Sequence, residues 1–162
     1  AERVKGDWGM VKRLELRLGV DVSGWIVGLP EALAAEGFTA EALAAIDRFA
    51  ELEPESLLGD RGVVLAGAGR IEEAVEAAGA ATARFPEDAW VWAKSASVLA
   101  RAGRPLDAER GYRRALELAG NAQYLRDGIL ERLLALLEEQ GKAGAARDLA
   151  EEEKRRRARN ER

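Results

Sequence analysis

"GVVLAGAGRIEEAVEAAG", residues 62–79, admits two readings that lead to different folds. The first is the strand, glycine turn and helix start that cradles a dinucleotide. That unit needs three glycines: one for the tight turn, one for close approach of the pyrophosphate, one for packing helix on strand. Gly67 and Gly69 fill the first two places, but Glu72 stands at the third with Glu73 behind it. Two carboxylates at a helix N-terminus repel the diphosphate that such a terminus would hold. The second reading is duller: the end of one helix, a glycine turn, and the start of another.

Composition favours the second reading. The chain has 162 residues, enough for one domain or a short repeat array with a real core. Lys+Arg number 25 against 29 Asp+Glu, a net charge of -4 too mild to mark the whole chain as a nucleic-acid or membrane binder. Cysteine and histidine are both absent, which removes disulfides, thiol nucleophiles, His-Cys zinc sites and imidazole acids or bases. No catalytic residue, metal ligand or cofactor is therefore expected. No apolar run approaches the roughly 20 residues that span a bilayer, and nothing at the start reads as a signal peptide. A cytoplasmic protein is the default expectation.

Working outward from Gly69, a leucine precedes it by four residues (Leu65) and an alanine follows by five (Ala74). The same spacing recurs in Leu33, Gly37 and Ala42, in Leu99, Gly103 and Ala108, and in Leu137, Gly141 and Ala146. Successive glycines lie 32, 34 and 38 residues apart, a repeat near 34 with an insertion before the final copy. The flanks carry apolar residues at three and four residue spacing and few β-branched runs, so each unit predicts helix, glycine turn, helix. Gly103 supplies a left-handed cap, and Pro105 suits the first turn of the next helix, where its missing N–H costs nothing. One such hairpin cannot bury its apolar face alone and must stack on the next.

With that register the chain resembles the tetratricopeptide repeat family. In the clearest copy Trp92, Ala96 and Leu99 match the large, small and leucine places of the first helix, and Ala108, Tyr112 and Ala115 match the small, aromatic and small series of the second. Leu58, Gly62, Leu65, Ala74, Ala78, Ala81 and Pro86 match in the preceding copy, and Leu33, Ala42, Ile46, Phe49 and Pro54 in the first. The resemblance covers residues 23–158. It implies an all-α, right-handed superhelical solenoid of about four hairpins: a degenerate copy at 23–54, then 55–88, 89–122 and 127–158. Residues 1–22 form a leader and 159–162 a charged end. In this register Gly62 is a packing residue and Gly69 a hairpin turn. Arg61, where the family places an apolar residue, is expected to snorkel outward over its own stem.

Other departures mark both ends of the array. Pro30 falls where a small helical residue belongs, so the first helix is expected to begin there and be short. Glu153 stands where Ala81 and Ala115 are small and buried, as expected of a last helix with a polar outer face. The insertion near "GNAQYLRDG" either lengthens the loop or adds a helical turn before Gly128.

Outside the repeat, "RLELRLGVDV" at 13–22 alternates Leu14, Leu16, Leu18, Val20 and Val22 with charged residues and Gly19, which is the strand period. Such a leader packs loosely on the first helices, belongs to a further domain, or pairs with its own copy in a homo-oligomer. The tail, "EEEKRRRARNER", pairs Glu151 with Arg155, Glu152 with Arg156 and Glu153 with Arg157 at i to i+4 if helical. It reads foremost as a solvated helix end. An RNA-associated adaptor is the alternative it leaves, though no aromatic residue interleaves with the arginines for base stacking.

The resemblance implies that first helices line a concave groove. Ser56, Gly59, Asp60, Val63 and Ala66 would face it, then Trp90, Ala93, Lys94, Ser97, Ala100 and Arg101, then Gly128, Glu131, Arg132, Ala135, Glu138 and Glu139. The family's carboxylate clamp for chaperone tails would fall on Val27, Glu31, Asp60, Trp90 and Lys94, of which only the last is basic, so that role is not expected. The candidate partner-binding residues are Asp60, Val63, Trp90, Lys94, Ser97, Arg101 and Arg132, and the expected partner is a helix or extended segment of another protein. Trp90 is either a hot spot or a half-buried packing residue; Trp8 and Trp25 read as packing residues. Glu72 with Glu73 and Glu138 with Glu139 are neighbours on a helix and do not face one another as an acid and base pair.

Overall fold

A computed structural model describes residues 9, 13, 15–17, 19 and 21–160 of the chain. Eight complete helices lie among them: α1 (Val22–Ala35), α2 (Thr39–Phe49), α3 (Pro54–Gly67), α4 (Ile71–Arg84), α5 (Ala89–Arg101), α6 (Pro105–Leu118), α7 (Gln123–Glu139) and α8 (Ala143–Asn160). No strand occurs among the described residues. The stretch 62–79 is thus the end of α3, a turn, and the first half of α4.

The four register glycines all sit between paired helices with positive φ: +86° at Gly37, +77° at Gly69, +70° at Gly103 and +72° at Gly141. Each closes the same pair of bonds. The glycine N–H donates to the carbonyl three residues back (Ala34, Ala66, Ala100, Glu138), and the next N–H donates to the register leucine: Phe38 to Leu33 at 2.8 Å, Arg70 to Leu65 at 3.0 Å, Arg104 to Leu99 at 2.9 Å, Lys142 to Leu137 at 2.8 Å. This is the full Schellman closure, and it requires the left-handed conformation that glycine adopts without strain. The carbonyl of the residue after each glycine then accepts from the N–H of the register alanine: Phe38 from Ala42, Arg70 from Ala74, Arg104 from Ala108, Lys142 from Ala146. One residue therefore ends the first helix and begins the second. Those alanines are at most 4% exposed, lying where the two helices cross.

Helices pack only on near neighbours. Each contacts the next in the chain, and the first helices of successive hairpins also touch: α1 with α3, α3 with α5, α5 with α7. The second helices α2, α4, α6 and α8 do not touch each other, and no more distant pair is in contact among the described residues. This is the contact pattern of a helical repeat. Three apolar clusters follow one another along the stack, around Ile46 and Leu57, around Leu65 and Val98, and around Ile129, Leu133 and Leu137. Close approach depends on missing side chains. A Cβ at Gly62 would lie 3.2 Å from the Ala74 carbonyl oxygen and 3.3 Å from Val98 Cγ2, and one at Gly111 would lie 3.0 Å from Ala96 Cβ. Arg61 does turn outward, its Nη1 2.5 Å from Asp47 Oδ1.

Several expectations are corrected. Helix α1 does not begin at Pro30; it runs through it from Val22. Proline removes only its own N–H, so the helix loses one bond, while Asp21 starts it by accepting from the Gly24 N–H at 2.7 Å. The leader is not a strand where it is described: Arg13, Glu15, Leu16 and Arg17 are helical, and Gly19 (φ +65°) donates to the Glu15 carbonyl at 2.9 Å. Arginine, leucine and glutamate are strong helix formers, and a helix satisfies its own backbone where an unpartnered strand cannot. Leu14, Leu18, Val20 and Trp8 lie outside the described residues. Trp25 packs edge-on against Phe49 and stays 59% exposed.

A further correction concerns Glu153, which is buried rather than on an outer face. The insertion adds a helical turn: α7 has 17 residues where α3 has 14 and α5 has 13. That turn carries Arg126, also buried, whose Nε and Nη2 donate to the Glu153 carboxylate. Its Nη1 donates to the carbonyls of Leu116 at 2.5 Å and Gly120 at 3.2 Å, capping α6. Arg156 reaches Glu153 at 2.9 Å, and Arg157 pairs with Asp127. The tail arginines at 156 and 157 thus pair across helices and at i to i+3, not at the i to i+4 spacing.

Candidate functional site

On α5, Trp90, Lys94, Ser97 and Arg101 recur at three and four residue spacing and so share one face. That face borders a cleft of ≈ 680 Å³, within the usual range for ligand pockets. Opposite stand Asp60, Val63, Val64, Gly67 and Ala68 at the end of α3. Helix α1 and its turn contribute Glu31, Ala34, Ala35, Gly37 and Thr39, and α7 contributes Arg132. All seven residues singled out from the sequence line this one cleft.

The floor is made of small residues and the charges divide unevenly. Lys94 Nζ lies 2.7 Å from Asp60 Oδ1 and donates to the Ser56 carbonyl at 3.1 Å, with both charged side chains less than a fifth exposed. Gly59 is buried beneath that lysine; a Cβ there would lie 3.0 Å from Lys94 Cδ. Burial raises the Asp60 carboxyl above the usual aspartate range, Lys94 opposes this, and Glu31 adds to it. The single basic residue at the clamp positions is therefore committed within the protein. Arg101 makes one polar contact, 3.4 Å to the Ala66 carbonyl, and neither it nor Arg132 forms an ion pair among the described residues. Tyr112 is buried below, and burial raises its phenol above the ordinary value, against its hydrogen bond to Ser97 and the charge of Arg132.

Trp90 is 44% exposed, its ring neither sunk in the core nor fully in water. Three residues assigned to the groove from the sequence do not face it: Gly59, Ala66 and Ala93 are buried between helices. Of the α7 residues, Gly128, Glu131, Ala135, Glu138 and Glu139 are exposed but only Arg132 reaches the cleft. The sequence reading does not include Ala34, Ala35, Gly37 and Thr39, nor Val64, Gly67 and Ala68. The glycine register holds their signal, because Glu31 and Ala35 stand relative to Gly37 where Val63 and Gly67 stand relative to Gly69.

Among the described residues no helix is long and apolar enough to cross a membrane. No family model matches the chain, and no curated protein matches it to a significant degree.

Proposed function

We propose that the chain is a right-handed superhelical array of tetratricopeptide type that serves as a non-catalytic protein-binding scaffold, holding a segment of a partner protein in the cleft between α1, α3, α5 and α7. The observation that carries this reading is the convergence of four successive first helices on one cleft with a half-exposed Trp90 on its wall. Aromatic side chains in such partly desolvated positions are the usual anchors of binding. First helices that touch while second helices stand apart support a curvature with the cleft on the inside. The four identical Schellman closures support a true repeat.

The test is selection of a random peptide library on the full chain. Binders to the wild type should be lost on Trp90→Ala, a change that leaves helicity by circular dichroism intact, and kept when residues 1–22 are removed. Binders indifferent to Trp90→Ala would place recognition elsewhere. A second reading, homo-oligomerisation through the leader and first hairpin, is favoured by the exposure of Trp25 and Leu16 at that end. It requires a solution mass above 17.5 kDa that falls on removing residues 1–22. The RNA-adaptor reading draws less support, because Arg156 and Arg157 are spent on Glu153 and Asp127.

A further inference from the structure

We infer that the segment held by the cleft is acidic on one side: an extended stretch whose apolar side chain packs on Trp90 and Val63 and whose carboxylates meet Arg101 and Arg132. This rests on the reading of the cleft as a peptide groove. Lys94 and Asp60 cancel one another in the middle of the cleft. The remaining cations, Arg101 and Arg132, stand on its α5 and α7 side, and the remaining carboxylate, Glu31, stands on α1 at the other. Elsewhere arginines such as Arg61, Arg104 and Arg113 hold a carboxylate of the chain itself. Arg101 and Arg132 hold none among the described residues, in a protein whose net charge is -4. Two guanidinium forks beside an apolar floor recognise carboxylates with paired hydrogen bonds, and Glu31 repels an acid laid in the opposite direction. The charge order fixes the placement of the side chains: apolar over α3, acid towards α7.

The site is distinct from the family's clamp. Arg101 lies at another position of the register, Arg132 stands one hairpin beyond the clamp's last place, and the clamp lysine is locked by Asp60.

The experiment reads the sequences returned by the random peptide selection and then follows one binder by fluorescence anisotropy. Asp and Glu are expected to be enriched on one side of an apolar residue. Affinity should drop about tenfold in each of Arg101→Gln and Arg132→Gln, as removal of a charge-assisted hydrogen bond predicts, and should weaken with added salt. Both arginines are exposed, so the variants keep the wild-type fold, which circular dichroism checks. Binders that need Trp90 but show no acidic preference, or that ignore both arginine substitutions, overturn the acidic segment and leave the groove. Binders that ignore Trp90→Ala, or no binders at all, overturn the groove reading and the acidic segment with it.

Discussion

Glu153→Ala separates what the repeat register predicts from what the packing predicts. By register, position 153 corresponds to Ala81 and Ala115, both buried, so alanine should be neutral or better there. The structure demands the opposite. Removing the carboxylate leaves the Arg126 guanidinium buried with its two carbonyl acceptors, Leu116 and Gly120, but no counter-charge. Orphaning one member of a buried ion pair costs about 3–5 kcal/mol. Here the α6 carbonyls and the negative end of that helix still solvate the cation, which places the loss near the lower figure, about 3 kcal/mol. For a domain of this size that is a fall in Tm of about 6–12 °C. Arg126→Met combined with Glu153→Ala should recover part of the loss, because the orphan charge is gone.

The pH dependence has a definite sign. Burial raises the Glu153 carboxyl, but the hydrogen bonds and charges of Arg126 and Arg156 outweigh it and hold the group below the ordinary glutamate range. A carboxyl depressed by folding stabilises fully above its unfolded value, about 4.3, and stops doing so as pH falls through the folded value. The gap between wild type and Glu153→Ala in urea unfolding, followed by helical circular dichroism, should be widest near neutrality and close in acid. Equal stability at neutral pH, or a gap that widens on acidification, refutes the argument.

Four further substitutions test the frame. Gly69→Ala forces alanine to φ +77° and should cost about 1–2 kcal/mol, whereas Gly79→Ala, inside α4 with open space around it, should gain up to about 1 kcal/mol; opposite Tm shifts are the readout. Gly62→Val drives a branched side chain into the Ala74 backbone and Val98, and thermal unfolding should show a loss of about 1–3 kcal/mol. Lys94→Met strips Asp60 of its partner while burial already raises that carboxyl, so the charged form becomes costlier. Its stability relative to wild type should fall as pH rises through the carboxylate range and be least affected in acid, as denaturation at two pH values would measure.

How much of this was legible in the sequence depends on whether a feature is local. The glycine turns were, because Leu33, Gly37 and Ala42 and their counterparts are linked by bonds within one turn of chain. The cleft wall on α5 was also legible, since Trp90, Lys94, Ser97 and Arg101 follow from helix period alone. Pairings between helices were not. Arg126 and Glu153 are 27 residues apart, and each alone looks like a surface charge on a helix. The signal was their coincidence: an insertion bringing an arginine, and a glutamate at a place otherwise filled by alanine. The locked Lys94–Asp60 pair was hidden likewise, because it joins two hairpins. The strand period of 13–22 misled, because alternation describes which side residues occupy only if the backbone is already extended.

The division between turn and cleft positions has a consequence for specificity. Fold is set by the glycine, the leucine before it and the alanine after it, which close hydrogen bonds or lie at helix crossings. The cleft is set by different places in the same repeat. Asp60, Lys94 and Arg132 share one register position, Glu31, Val63 and Ser97 a second, and Ala35, Gly67 and Arg101 a third. Each cleft position varies freely in charge and size from copy to copy, as a surface facing a partner can, while the turn positions stay fixed. Substitutions at Arg101 and Arg132 should therefore have little effect on stability and, under the proposed groove, act on recognition, whereas those at Gly69 or Gly62 act on stability first.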